Sequence, residues 1–195
     1  GNYTSTWSNV LNSSGNSIDA STGSFPWAVP DDLSPNVKVK LTRLADPTNV
    51  PSAISPQIKI VGSITVTAPP QGAKWLVNET KYIQWQRQGS VANVSLFYST
   101  DGGGNWTFVN YADGAIGGTG YPWQIPNTPG IVSPNARVKV ADTADPSTYN
   151  ISSQFSIIPK FVITAPAANQ KLKANTIDYI AWDRFGQNPT VNLYW

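Results

Sequence analysis

Tyr82-Ile-Gln-Trp85 recurs 97 residues on as Tyr179-Ile-Ala-Trp182. The recurrence runs well beyond four residues. Thr67-Ala-Pro69 returns as Thr164-Ala-Pro166, and Arg87 and Gly89 return as Arg184 and Gly186. Val94-Ser-Leu-Phe-Tyr98 returns as Val191-Asn-Leu-Tyr-Trp195. From Thr67 to Tyr98 the spacing never changes, and 12 of 32 positions are identical. A fixed period marks an internal repeat, and a repeat decides the architecture before any single motif does.

The other end of the chain repeats the later part of the same unit. Phe25-Pro-Trp-Ala-Val-Pro30 matches Tyr121-Pro-Trp-Gln-Ile-Pro126, and Trp7 stands where Trp106 does. Ser34-Pro-Asn-Val-Lys-Val-Lys-Leu41 matches Ser133-Pro-Asn-Ala-Arg-Val-Lys-Val140. Ala45-Asp-Pro47 matches Ala144-Asp-Pro146, and Ser55-Pro-Gln-Ile-Lys-Ile60 matches Ser152-Ser-Gln-Phe-Ser-Ile157. Residues 1–63 therefore read as the C-terminal half of a unit, 64–160 as a complete unit, and 161–195 as the N-terminal half of another.

Within a unit the apolar residues have period two, which half-buried strands require. Ile83 and Trp85 alternate with Gln84 and Gln86. Val94, Leu96 and Tyr98 alternate with Ser95 and Phe97, and Tyr121, Trp123 and Ile125 with Pro122 and Gln124. Val138 and Val140 alternate with Arg137 and Lys139, and Phe155 and Ile157 with Ser156. No segment has a helical period. About seven short strands per repeat of about 97 residues, joined by Gly, Pro and Asn turns, predict an all-β chain of tandem immunoglobulin-like β-sandwich repeats. The tryptophans of the strands, Trp27, Trp85, Trp123 and Trp182, are the expected structural core. Trp75, whose counterpart is Leu172, falls in a turn region, where partial exposure would let it stack on a sugar.

The series Ile-Thr-Val-Thr-Ala-Pro, Tyr-Ile-Gln-Trp, Val-Ser-Leu-Phe-Tyr, Trp-Gln-Ile-Pro, Arg-Val-Lys-Val and Ser-Gln-Phe-Ser-Ile, spread over residues 64–157, resembles a widespread extracellular repeat. It is similar to the domain shared by Ser/Thr-rich GPI-anchored wall proteins and the yeast cell-wall synthesis family related to killer-toxin resistance. Similar units occur in prokaryotic surface and S-layer proteins. The resemblance covers the whole chain. It implies an immunoglobulin-like sandwich at the cell surface or in the wall, and it supplies no catalytic residue. The Ser/Thr-rich tail and anchor signal of the GPI group are not in this sequence. Ser99-Thr-Asp-Gly-Gly-Gly-Asn-Trp106 resembles the Asp-box of sialidase-type propellers, with Asn105 in place of the usual Thr. That motif is structural: its Asp ties down a hairpin and its Trp packs beneath. One copy implies a turn and no glycosidase, which needs a pair of placed catalytic groups.

Composition excludes several chemistries. The 195 residues contain no Cys, no Met and no His. A disulfide framework and a thiolate nucleophile are therefore impossible, and the commonest general base is missing. A net charge of +2 with 12% charged residues is too little for a nucleic-acid footprint. No apolar run approaches the length of a membrane span. Little charge with much Ser, Thr and Asn suits an exported surface protein. The start at Gly1 reads as a mature protein or an excised fragment.

The remaining candidates are surface residues. Asp142 and Asp145, with the repeated Asp46, are loop carboxylates beside hydroxyls. They are weak Ca²⁺ candidates set against the simpler role of an Asp that organises its own turn. No other cofactor is expected. Six Asn-x-Ser/Thr sequons, at Asn2, Asn12, Asn78, Asn93, Asn105 and Asn150, are glycan acceptors if the chain is exported where the machinery exists. Asn78 and Asn150 are placed in turns and Asn93 at a strand start. Lys38, Lys40, Arg137 and Lys139 face outward, either lining a groove for acidic glycans or lipids or forming a solvated sheet face.

These readings favour a non-enzymatic structural protein of the cell surface, a repeat of a wall, S-layer or extracellular filament. Its expected partners are further copies of itself, in a homopolymer or lattice, and a cell-wall glycan. Two alternatives are a carbohydrate-binding or adhesion module and an accessory domain of a secreted hydrolase. A chain cut in mid-repeat at both ends is expected either to be an excerpt of a longer array or to pair its last residues with the first residues of a neighbour by strand exchange.

Overall fold

The computed structural model describes residues 7, 8, 10, 18–43, 52–187 and 190–195. These residues are all-β. Helix is limited to two 3-10 turns, Ala20–Thr22 and Gly114–Gly118. The chain divides into two compact units, Gly1–Ile60 and Val61–Trp195. Asn2, Asn12 and Asp46 lie outside the described residues.

The second unit contains two facing sheets. One has the order β10-β7-β5, from Tyr121–Gln124, Thr80–Gln88 and Ser63–Ala68. The other has the order β6-β13-β11-β8-β9, from Lys74–Leu76, Phe155–Ile158, Ser133–Asp142, Asn93–Ser99 and Thr107–Asp113. A short strand β12, Tyr149–Ile151, extends the pairing along β11. All these pairs are antiparallel except β6 with β13, which is parallel.

Alternation along each strand builds the core, because successive side chains point to opposite faces. Ile83, Val94, Leu96, Ile125, Val138, Val140 and Ile157 are fully buried, and Trp85 and Phe155 nearly so. Ring contacts close the gap between the sheets. Trp123 of β10 stands 5.1 Å from Tyr98 of β8 and 6.1 Å from Trp75 of β6. Trp75 in turn lies 4.9 Å from Phe155.

Trp75 is therefore buried, and the expectation of a turn residue free to meet a sugar is corrected. It belongs to an edge strand, and two aromatic neighbours hold it inward. Beside Trp85 the chain passes very close. A Cβ on Gly117 would lie 2.6 Å from the Trp85 ring. The 3-10 turn can cover the indole because that position has no side chain.

Two further strands follow, β14 (Lys160–Ala165) and β15 (Ala181–Phe185). Their register copies that of β5 and β7. Ile64↔Arg87, Thr65↔Gln86, Val66↔Trp85 and Ala68↔Gln84 become Phe161↔Arg184, Val162↔Asp183, Ile163↔Trp182 and Ala165↔Ala181. The register slips at the same place in both. Asn78 and Asn175 both take left-handed backbone angles, with φ of 65° and 60°. Packing, however, differs. Among the described residues β14 and β15 form a sheet of their own. Trp182 is 37% exposed where Trp85 is 1% exposed. Trp182, expected in the core, lies in a strand pair that has no second sheet over it among the described residues.

The first unit repeats the later strands. β1 (Ser34–Val37) pairs with β4 (Ile58–Ile60), and β2 (Lys40–Leu41) with β3 (Ala53–Ile54). Ser34↔Ile60 and Val37↔Ile58 copy Ser133↔Ile157 and Ala136↔Phe155. The side-chain bonds recur as well. Gln57 Nε2 donates to Pro35 O and Asn36 Oδ1, as Gln154 Nε2 does to Pro134 O and Asn135 Oδ1. Ser55 Oγ accepts from Val39 N, as Ser152 Oγ does from Val138 N. Trp27, expected in the core, is only half-buried, because the described strands of this unit form just two two-stranded ladders.

Candidate interaction surfaces

The glycine-rich corner after β8 is a self-contained turn. Asp101 Oδ1 accepts from Ser99 Oγ at 2.6 Å and from Asn105 N at 2.9 Å, and Oδ2 accepts from Asn105 Nδ2 at 2.7 Å. Ser99 Oγ accepts in turn from Asp101 N and Gly103 N. The Ser99 hydroxyl first, then the backbone and side-chain N–H groups of Asn105, hold the Asp101 carboxyl well below the usual carboxylate range. A carboxylate committed in this way organises its hairpin and is a poor proton donor at neutral pH.

Lys139 crosses the outer face of the six-stranded sheet. Its Nζ lies 4.5 Å from the Phe97 ring, 4.8 Å from Trp106 and 5.9 Å from Tyr149. Phe97 continues to Phe108 at 5.6 Å and Phe108 to Tyr111 at 4.9 Å. Phe108, Tyr111 and Tyr149 are exposed. Of the four basic residues expected to face outward, Lys38 is exposed and Arg137 is half-buried. Lys40 and Lys139 instead lie over the corresponding indoles of Trp7 and Trp106, at 4.6 Å and 4.8 Å. The ammonium is attracted to the ring face while its stem covers apolar surface. The sequence signals this only as a Lys and a Trp at matching places in both copies.

Asp142, buried at the end of β11, and Asp145, in the turn that follows, both serve that turn. Asp142 Oδ1 accepts from Ala144 N at 2.8 Å, and Asp145 Oδ1 from Ser147 Oγ at 2.6 Å. Among the described residues no group of three or more acidic side chains is placed to hold a metal ion. None of their helices is long and apolar enough to cross a membrane.

The sequon asparagines differ from one another. Asn78 is exposed in a turn between β6 and β7, and Asn93 is exposed at the first residue of β8. Asn105 is exposed with its amide tied to Asp101. Asn150 lies in β12 rather than in the expected turn. It is half-buried, and its Oδ1 accepts from Val66 N at 2.9 Å. That bond joins the two sheets.

β14, β15 and the residues after them carry exposed apolar side chains. Ile163, Ile180, Trp182, Val191 and Leu193 are all exposed. Their counterparts in the complete unit, Val66 excepted, are at most 1% exposed. Comparison with protein-family models, with curated proteins and with solved structures found no match.

Proposed function

We propose that this chain is a non-enzymatic structural protein of the cell surface, a repeat of a wall, S-layer or extracellular filament that assembles through its β-sandwich units. The observation that carries the reading is the β14–β15 pair. It reproduces the register of β5 and β7, as β1 with β4 reproduces that of β11 with β13, so one unit recurs in tandem along the chain. Tandem copies of one unit build extended, quasi-one-dimensional arrays. The immunoglobulin-like reading of each unit is supported by chain path. β7 to β8 and β10 to β11 each cross from one sheet to the other, which is how such sandwiches are wound. Extracellular placement rests on the low charge, the sequons and the resemblance to surface repeats. Electron microscopy of the purified chain at increasing concentration tests the proposal. Ordered filaments or sheets are expected, and discrete particles at every concentration would sink it. Hydrolysis of polysaccharide or sialoside above background, lost on substitution of a loop carboxylate, would overturn the non-enzymatic assignment.

A second reading, glycan binding, is favoured by the exposed rings of Phe108, Tyr111 and Tyr149 around Lys139. Cell-wall pull-down that depends on Tyr111, and not on Trp75, distinguishes it.

A further inference from the structure

A single residue, Pro159, separates the end of β13 at Ile158 from the start of β14 at Lys160. One residue spans at most about 3.6 Å, and proline fixes its own φ. The start of β14 is therefore held against the end of the complete unit. Three further contacts close this junction. Lys160 Nζ meets Glu79 Oε1 at 3.2 Å. Gly186, directly after β15, donates its N–H to Asn127 Oδ1 at 2.8 Å. Its Cα packs on apolar groups: a Cβ there would stand 2.8 Å from Val132 Cγ2, 3.2 Å from Val77 Cγ2 and 3.4 Å from Pro159 Cα. Gly186 also has a φ of 81°, so both backbone and space exclude a side chain at this position. Burial in β15 follows the contact. Phe185 and Gly186 are half-buried, whereas residues 181–184 are exposed.

We propose that the end of the complete unit formed by Val77, Glu79, Asn127 and Val132 is a seat for the next repeat of the same chain, which it takes through Lys160 and Gly186. The complete unit and the repeat after it thereby keep one orientation. The inference rests on the tandem reading above and adds the surface through which neighbours meet. In such arrays each repeat touches only its neighbours, and the interface between them adds to the stability of the whole. The seat also accounts for a glycine that the strand pattern does not explain. Arg87 and Gly89 return as Arg184 and Gly186, and Gly89 has the same backbone conformation, with a φ of 79°.

The chain has no Cys, so introduced cysteines carry spin labels without background. Thr107→Cys in β9 and Thr164→Cys in β14, both exposed positions, are labelled together in the full chain. Pulsed electron paramagnetic resonance should give one narrow distance distribution. Gly186→Ala and, separately, Asn127→Ala should each broaden it, the first by overpacking the seat and the second by removing the acceptor. Asn127 lies after β10, outside β14 and β15, so its variant leaves their own ladder in place. Gly130→Ala is the control. Gly130 has a φ of 78°, but a Cβ there meets nothing within 4 Å, and the distribution should stay narrow. A broad distribution in the parent overturns the seat. So does one that stays narrow in either the Gly186 or the Asn127 variant, or one that Gly130→Ala broadens as much as Gly186→Ala. Filaments or sheets from a chain whose distribution is broad sink the seat and leave the structural reading standing. A narrow distribution that responds as expected, in a chain that forms only discrete particles, supports the seat and sinks that reading.

Discussion

The indole N–H of Trp85 donates to the carbonyl of Gly114 at 3.0 Å, in the interior of the complete unit. Its repeat equivalent, Trp182, has the same strand and the same cross-strand register but a solvent-facing ring. Trp85→Ala removes a buried aromatic and should cost about 3–5 kcal/mol. Trp182→Ala removes an exposed one and should cost about 0.5 kcal/mol or less in dilute solution. Denaturant midpoints of the two variants check the contrast. Equal midpoints would mean that the core is misplaced.

Gly117→Ala tests the turn over that indole. The new methyl would meet the Trp85 ring at 2.6 Å and the Trp85 carbonyl oxygen at 2.3 Å. Overpacking of this kind costs about 1–3 kcal/mol. Gly118→Ala, one residue on, meets nothing within 4 Å and should change stability by about 0.5 kcal/mol at most. Thermal unfolding of the pair decides between them. A Gly118 variant as damaged as the Gly117 variant would show that backbone freedom matters here and ring contact does not.

What was legible in the sequence follows from how strongly each strand alternates. Ile83 and Trp85, Val138 and Val140, and Phe155 and Ile157 alternate cleanly, and all are buried. β6 has only three residues, Lys74–Leu76, too few for a period, so the sequence alone places Trp75 in a turn. β9, Thr107–Asp113, is an edge strand with both faces largely open, and its sequence carries no alternation. β12 pairs with β11 through Tyr149–Ile151, directly after a turn rich in Asp, Pro and Ser. The Asp101 corner was legible because all its partners lie within a few residues. The Lys139 cluster gathers rings from β8, β12 and the turn before β9, which only strand pairing brings together.

The two sheets also share a side-chain bond that separates the sequons. Asn150→Ala leaves the Val66 N–H without its acceptor and should cost about 1–3 kcal/mol. The same geometry disfavours a glycan at Asn150, whose half-buried amide is engaged between sheets. Asn78, exposed with φ of 65° in its turn, is open to modification. Expression in a glycosylating host followed by glycopeptide mass spectrometry should find glycan at Asn78 and none at Asn150. Occupancy at Asn150 in folded protein would refute this account of the bond.

The Asp101 turn gives the chain a specific acid sensitivity. Its carboxyl is held well below the ordinary value of 3.8, chiefly by the Ser99 hydroxyl and then by Asn105. A carboxyl whose folded value is depressed releases its proton more readily in the native state. The unfolded chain therefore binds more protons at low pH, and stability falls as pH falls. The contribution is fully present above the unfolded value, near 3.8. It is lost progressively as pH drops from there toward the folded value. Asp101→Asn removes the titrating group and turns an acceptor oxygen into an N–H₂ that faces the Asn105 amide. Denaturant midpoints should separate wild type from this variant by a constant gap between about pH 5 and pH 8. Below about pH 4 the gap should narrow, because only the wild type has an Asp101 carboxylate that takes up a proton in the unfolded chain there. A gap that stays constant down to pH 2 would show that Asp101 titrates normally and that the hydrogen bonds of the turn do not favour its charged form.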